Sequence, residues 1–128
     1  MIDGIRVGCD VVAVAEVAES VATFGDRYLQ RVFTPAELDD CAGSAERLAA
    51  RFAAKEAVIK VFGEPDAHFP LQEIEVRSTG SAPTLHLSGA TAARARAQGW
   101  RQTEVSLSHA DCHAMAVVVV VCPPLPAS

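Results

Sequence analysis

The chain has 128 residues, enough for one domain that buries roughly two thirds of the surface its unfolded form exposes. Half of the residues are apolar but only 5% are aromatic, and 23 are alanine, so the core must be built from small aliphatic side chains; disordered and collagen-like chains are excluded. With 11 basic and 16 acidic residues the net charge is −5, which excludes a surface attracting phosphate everywhere and argues against nucleic acid as a partner.

Residues 5 to 12, Ile-Arg-Val-Gly-Cys-Asp-Val-Val, are apolar and rich in β-branched side chains, and predict a largely buried strand with Asp10 as an acid inside it. Gly4-x-x-x-Gly8 lacks the third glycine and following helix of a dinucleotide fingerprint and reads as close strand packing. Neither a signal peptide's apolar region nor a membrane span is read at this end. With no Cys-x-x-Cys pair, Cys9, Cys41, Cys112 and Cys122 are expected to be reduced and mostly buried, in a cytoplasmic protein that binds no membrane.

Val14, Val17, Val21 and Phe24 recur at helical spacing and predict a helix ending near Gly25. Thr34-Pro35-Ala36-Glu37 is an N-cap, a proline at the first helical position and a carboxylate at the third, opening a short helix to about Cys41. From Ala45 to Phe62 there is no glycine or proline, and this long central helix stops at Gly63. Ile74 and Val76, then Leu85 and Leu87, alternate around the stretch Ser78 to Pro83 as a hairpin. A helix from Ala90 to Gln98 is closed by Gly99, strands follow at 104–109 and 114–122, and Pro123-Pro124-Leu125-Pro126 ends regular structure. The expected fold is α+β, a long central helix packed on a small, mostly antiparallel sheet in a single domain spanning 1–128.

The segment Arg51-Phe52-Ala53-Ala54-Lys55-Glu56-Ala57-Val58-Ile59-Lys60 holds the only two lysines of the chain. At about 100° per residue, Leu48, Phe52, Ile59 and Phe62 form a stripe, which predicts Lys55 and Glu56 on or beside the buried face. One reading is a surface ion pair from Glu56 to Lys60, worth roughly 0.3–0.5 kcal/mol. The other starts from Asp10 and Glu56 as two acids inside apolar elements, which need a cation. One carboxylate from a strand and one from a helix, with water completing the shell, is a minimal Mg²⁺ site against substrate phosphates. Lys55, Lys60 and Arg51 would add positive charge to the same phosphates, while pairing of Asp10 with an arginine is the alternative.

Val7-Gly8-Cys9-Asp10-Val11-Val12, the block from Arg51 to Ala57 with Lys60 and Gly63, and Val105-Ser106-Leu107-Ser108-His109 together resemble the holo-acyl-carrier-protein synthase family of 4′-phosphopantetheinyl transferases. The resemblance implies transfer of the phosphopantetheine arm of coenzyme A to a serine of an apo acyl carrier protein of fatty-acid or polyketide synthesis, releasing adenosine 3′,5′-bisphosphate. It implies Asp10 and Glu56 as Mg²⁺ ligands and catalytic residues, and Lys55 as the lysine that stabilises or protonates the departing bisphosphate. Arg51, Lys60, Gly63 and the Ser108–His109 step are the implied coenzyme contacts. Either a water near the metal or Glu56 itself takes the serine proton. A homotrimer with active sites in clefts between subunits is also implied.

The chain departs from the family pattern at Glu64-Pro65-Asp66, where glycine and threonine are usual, at Glu16, where a basic residue is common, and at Ala13. Arg27 and Arg31 are the alternative basic docking surface for the carrier. A coenzyme-binding homologue without activity and a Mg²⁺-dependent coenzyme A hydrolase are the competing readings. Ser108 and His109 point to opposite strand faces, so they do not form a nucleophile and base pair. His109, Cys112 and His113 cluster in a turn without the fourth ligand of a closed zinc site.

Overall fold

The computed structural model describes residues 4–78, 80 and 82–123. Ile5–Ala13 forms β1 and runs directly into α1, Val14–Phe24. Gly25, at φ 57°, ends that helix, and α2, Asp26–Val32, follows at once. The sequence did not predict α2, because its seven residues span too few turns to establish a period. Next come α3, Pro35–Cys41, and α4, Ala45–Phe62. A 3₁₀ turn at Leu71–Glu73 leads into β2, Ile74–Arg77, and β3, Thr84–Leu87; then α5, Gly89–Ala97, β4, Gln102–His109, and β5, His113–Val121, complete the order. The expected ends at Pro124, Leu125 and Pro126 lie outside the described residues, as do two positions of the hairpin loop.

The local signals have visible causes. Thr34 Oγ1 accepts from Glu37 N at 3.2 Å while Glu37 Oε1 accepts from Thr34 N at 2.9 Å, a reciprocal cap that starts α3. Ser44 Oγ accepts from Arg47 N at the start of α4, and Gly63, at φ 64°, closes that helix in the left-handed region.

The main sheet has the order β1-β5-β4, antiparallel throughout, and β2 pairs with β3 in a separate two-stranded sheet. Because paired residues share a face, Gly8, Asp10 and Val12 line the same side as Val118, Ala116 and Ala114. Across that side lies α4, whose Ala49, Ala53 and Ala57 are fully buried. Gly8 makes the approach possible, since a Cβ there would overlap the Ala57 carbonyl oxygen and a Val61 methyl. At the far end of α4, Phe62 stacks on Phe69 at 4.5 Å and on Trp100 at 4.3 Å, fastening the helix to the start of β4.

Two expectations are corrected. The first strand is not largely buried: Ile5 and Val7, with Val11 and Met115, stay exposed on the sheet face away from α4. Nor are the cysteines mostly buried, since Cys41 and Cys122 lie inside while Cys9 and Cys112 are exposed. Cys9 falls on the open face because strand side chains alternate and Asp10 takes the helix side.

Candidate active site

Asp10 sits mid-strand on β1, held against α4 by the close contact at Gly8. The Lys60 ammonium lies 2.9 Å from Asp10 Oδ1 and also donates to Cys9 O at 2.9 Å. Glu56, one helical turn before Lys60, completes the group. Its carboxyl is pushed above the usual range, first by burial and then by the negative charge of Asp10, with Lys60 opposing. The hydrogen bond to Asp10 raises the Lys60 ammonium above its ordinary value. Two carboxylates and one ammonium therefore form a single electrostatic unit, at the edge of a groove of about 300 Å³ lined by Ile59, Lys60, Gly63, Glu64, Pro65 and Ala67.

A second cavity of about 420 Å³ lies on the other flank of α4, with Arg47, Arg51, His109, Asp40 and Ser78 in its lining. Arg51 is 4% exposed, its Nη2 stands 3.8 Å from Asp40 Oδ2, and its buried Nε has no hydrogen-bond partner among the described residues. His109 Nδ1 is 3.1 Å from Glu46 Oε2. The cavity thus gathers two arginines and an imidazole, groups able to donate to an anion, with Asp40 and Glu46 set against them.

Of the residues singled out from the sequence, Asp10, Glu56, Lys60 and Gly63 come together at the first site, and Arg51 and His109 at the second. Ser108 does not join them; it is exposed on the opposite face of β4 from His109. Nor does Lys55 reach either cavity. Its side chain is fully buried, and its ammonium donates to Glu37 Oε1 at 2.7 Å, to Leu71 O at 2.9 Å and to Ile74 O. Burial pushes that ammonium below 10.5, with the Glu37 carboxylate opposing. The expected position beside the phosphates is corrected for a geometric reason: Lys55 is turned about 100° from Glu56 around the helix, toward α3 and β2. Phe52, Glu56, Ile59 and Lys60 share the half-open side instead, because five alanines, with Leu48, Val58, Val61 and Phe62, make the buried side of α4.

Four participants went unread in the sequence. Glu37 was recognised only as a helix cap, and nothing in a separation of 18 residues signals its pairing with Lys55. Arg47 lies one turn before Arg51, a spacing that would have marked a shared face. Arg94 and Gln98 hold Glu64, through bonds of 2.6 and 2.9 Å, so this acid of the unusual loop is tied to α5.

Among the described residues no three His, Cys, Asp or Glu side chains gather as a closed metal site. Asp10 and Glu56 nevertheless suit Mg²⁺, which commonly takes one or two protein carboxylates and draws its other ligands from water and substrate phosphates. Burial first and then the charge of Asp10 raise Glu56, and a cation shared by the two carboxylates would offset both.

Residues 6–118 match the 4'-phosphopantetheinyl transferase superfamily. A holo-[acyl-carrier-protein] synthase of Koribacter versatilis is 41% identical over 118 residues, covering 88% of this chain and 94% of its own. One from Chloroflexus aurantiacus is 44% identical, covering 88% of this chain and 94% of its own. Among solved structures, the Chronobacterium ammoniagenes synthase in complex with coenzyme A superposes with a TM-score of 0.82 at 29% identity, covering 94% of this chain and 98% of its own. The Mycobacterium tuberculosis acyl carrier protein synthase gives 0.74 at 37% identity, covering 94% of this chain and 100% of its own. The chain thus belongs to the 4'-phosphopantetheinyl transferase superfamily and, within it, to the holo-[acyl-carrier-protein] synthase family of enzymes.

Proposed function

We propose that this chain is a single transferase domain that moves the 4′-phosphopantetheine arm of coenzyme A to a serine of an apo acyl carrier protein, with Mg²⁺, releasing adenosine 3′,5′-bisphosphate. The observation that carries the reading is the Asp10–Glu56–Lys60 cluster. In the reaction a bond forms between the serine oxygen and the phosphorus bearing the pantetheine arm, and the pyrophosphate bridge to the nucleotide breaks. The serine proton passes to Glu56 or to a water beside it, and the bisphosphate leaves with the bridging oxygen. Mg²⁺ held by Asp10 and Glu56 would neutralise the pyrophosphate and orient it for in-line attack.

Lys60, half exposed, is the ammonium positioned to meet charge developing on the leaving bisphosphate. Gly63, beside it, leaves the groove wall free of a side chain. On the other flank, Arg51 and His109 offer donors to the nucleotide's outer phosphate. Since the acid pair and the arginine pocket lie on opposite flanks of α4, one coenzyme reaches both kinds of contact across an interface between copies. The exposed apolar face of β1 and β5 supports such an assembly, and we extend the proposal to a homotrimer. No helix among the described residues is long and apolar enough to cross a membrane. All four cysteines are free, which supports a reducing, cytoplasmic setting.

The test is the intact mass of an apo acyl carrier protein after incubation with coenzyme A and Mg²⁺, with and without EDTA. A phosphopantetheine-sized gain that EDTA abolishes, and that Glu56→Gln loses while keeping its fold, supports the proposal. Unmodified carrier across several carrier types would refute it, and bisphosphate release without carrier would point to a hydrolase.

A further inference from the structure

Among the described ion pairs, Lys55–Glu37 is the one with both side chains fully enclosed. It is also fully hydrogen-bonded. The lysine's three protons go to Glu37, Leu71 O and Ile74 O, while the carboxylate accepts from Thr34 N through Oε1 and from Val76 N, at 2.9 Å, through Oε2. These bonds join α4 to α3, to the 3₁₀ turn and to the edge of β2. A buried pair of this kind roughly breaks even in stability against well-packed apolar residues, so net stability is a poor reason for its presence. Geometry is a better one.

On its sheet side α4 rests through Ala49, Ala53 and Ala57 over Gly8, with Val61 the branched side chain that meets Gly8. Small side chains key rotation about the helix axis less than large ones do, and the Phe62 stack holds only the C-terminal end of the helix. An ammonium directed at three acceptors on separate elements does key it. Glu56 is the next residue and Lys60 lies one turn beyond, so both inherit that rotation. A roll of about 20° would swing a carboxylate about 6 Å from the axis by about 2 Å. Displacements of that size cost orders of magnitude in rate.

We propose that Lys55 is a positioning residue: the buried Lys55–Glu37 pair fixes the roll of α4 and so holds Glu56 and Lys60 against Asp10. The role assigned to the cluster rests on the transferase reading, whereas the orientation claim does not.

The experiment compares wild type, Lys55→Met and the double variant Lys55→Met with Glu37→Gln. It reads the melting temperature, kcat, and Mn²⁺ affinity with coenzyme A present and no carrier, the last from the free-Mn²⁺ EPR signal. Lys55→Met should melt lower, because it strands a buried carboxylate, and the double variant should recover most of that loss. Both should lose about tenfold or more in kcat and in Mn²⁺ affinity. Recovery of wild-type kcat and Mn²⁺ affinity together with the melting temperature would reduce the pair to a structural filler. Wild-type Mn²⁺ affinity with lost kcat would place Lys55 at the reacting atoms instead; either result overturns the proposal. Should the double variant not fold, Glu37→Asp, which keeps the charges and shortens the link, must still weaken Mn²⁺ binding, and unchanged binding would refute the claim. A wild-type chain that modifies no carrier would refute the transferase reading, while the Mn²⁺ comparison would still decide the orientation claim.

Discussion

Lys60 keeps its ammonium 2.9 Å from Asp10 although its side chain is 56% exposed, so it stands at the opening of the site, where an anionic leaving group would pass. Removing a donor aimed at developing charge commonly costs about two orders of magnitude in turnover, and Lys60→Met should lose that much with its melting temperature little changed. Measuring kcat and the melting curve together checks it; unaltered turnover would leave Lys60 a solvated partner of Asp10. Asp10, Glu56 and Lys60 were legible in the sequence because an acid in a β-branched strand and a lysine-bearing run in an alanine-arginine chain are both unusual. Lys55 was misplaced because the rotation of α4 was judged partly from Phe52 and Ile59, which are only half buried, whereas the alanines were not weighed. The tie between Glu64 and Arg94 was not legible either, since a contact across 30 residues leaves no local pattern.

Between elements, Glu73 ties the 3₁₀ turn to the start of α5: Thr91 Oγ1 and Thr91 N donate to its Oε1 at 2.8 and 3.0 Å, and its carboxylate lies where a side chain on Gly89 would go. The Thr91 hydroxyl, then the backbone N–H groups, hold the carboxyl below its ordinary 4.5. A depressed carboxyl stabilises the fold above its unfolded value and loses that contribution as pH falls through the folded one. Wild type should accordingly melt above Glu73→Gln near pH 6, with the gap closing below about pH 4.5. A gap that stays constant across melting curves from about pH 3 to 6 would contradict the assignment. Helices α1, α3, α4 and α5 and the hairpin were readable from caps, glycine stops and period. Helix α2 was not, and the pairing order β1-β5-β4 is a long-range property that no local pattern encodes.

For the whole molecule, the exposed side of the main sheet bears Ile5 at 41%, Val7 at 59%, Val11 at 59% and Met115 at 37% exposure. An apolar face of that kind calls for burial, and the proposed homotrimer covers it with further copies, the arginine pocket of one then serving the acid pair of another. Sedimentation should give three times the 13.5 kDa chain mass, and Val11→Glu should yield folded monomers with transfer activity lost. A fully active monomer would show that each chain holds a complete site. The face was misread as buried because a run of valines looks the same whether its own chain or another copy covers it. The central claim is that Asp10 and Glu56 jointly hold the divalent cation at which transfer occurs. Anomalous diffraction from a crystal grown with coenzyme A and Mn²⁺ tests this most directly. A peak within coordination distance of both carboxylates, with Lys60 beside the pyrophosphate, is the expected result; a peak elsewhere, or none in crystals of active enzyme with coenzyme bound, would contradict it.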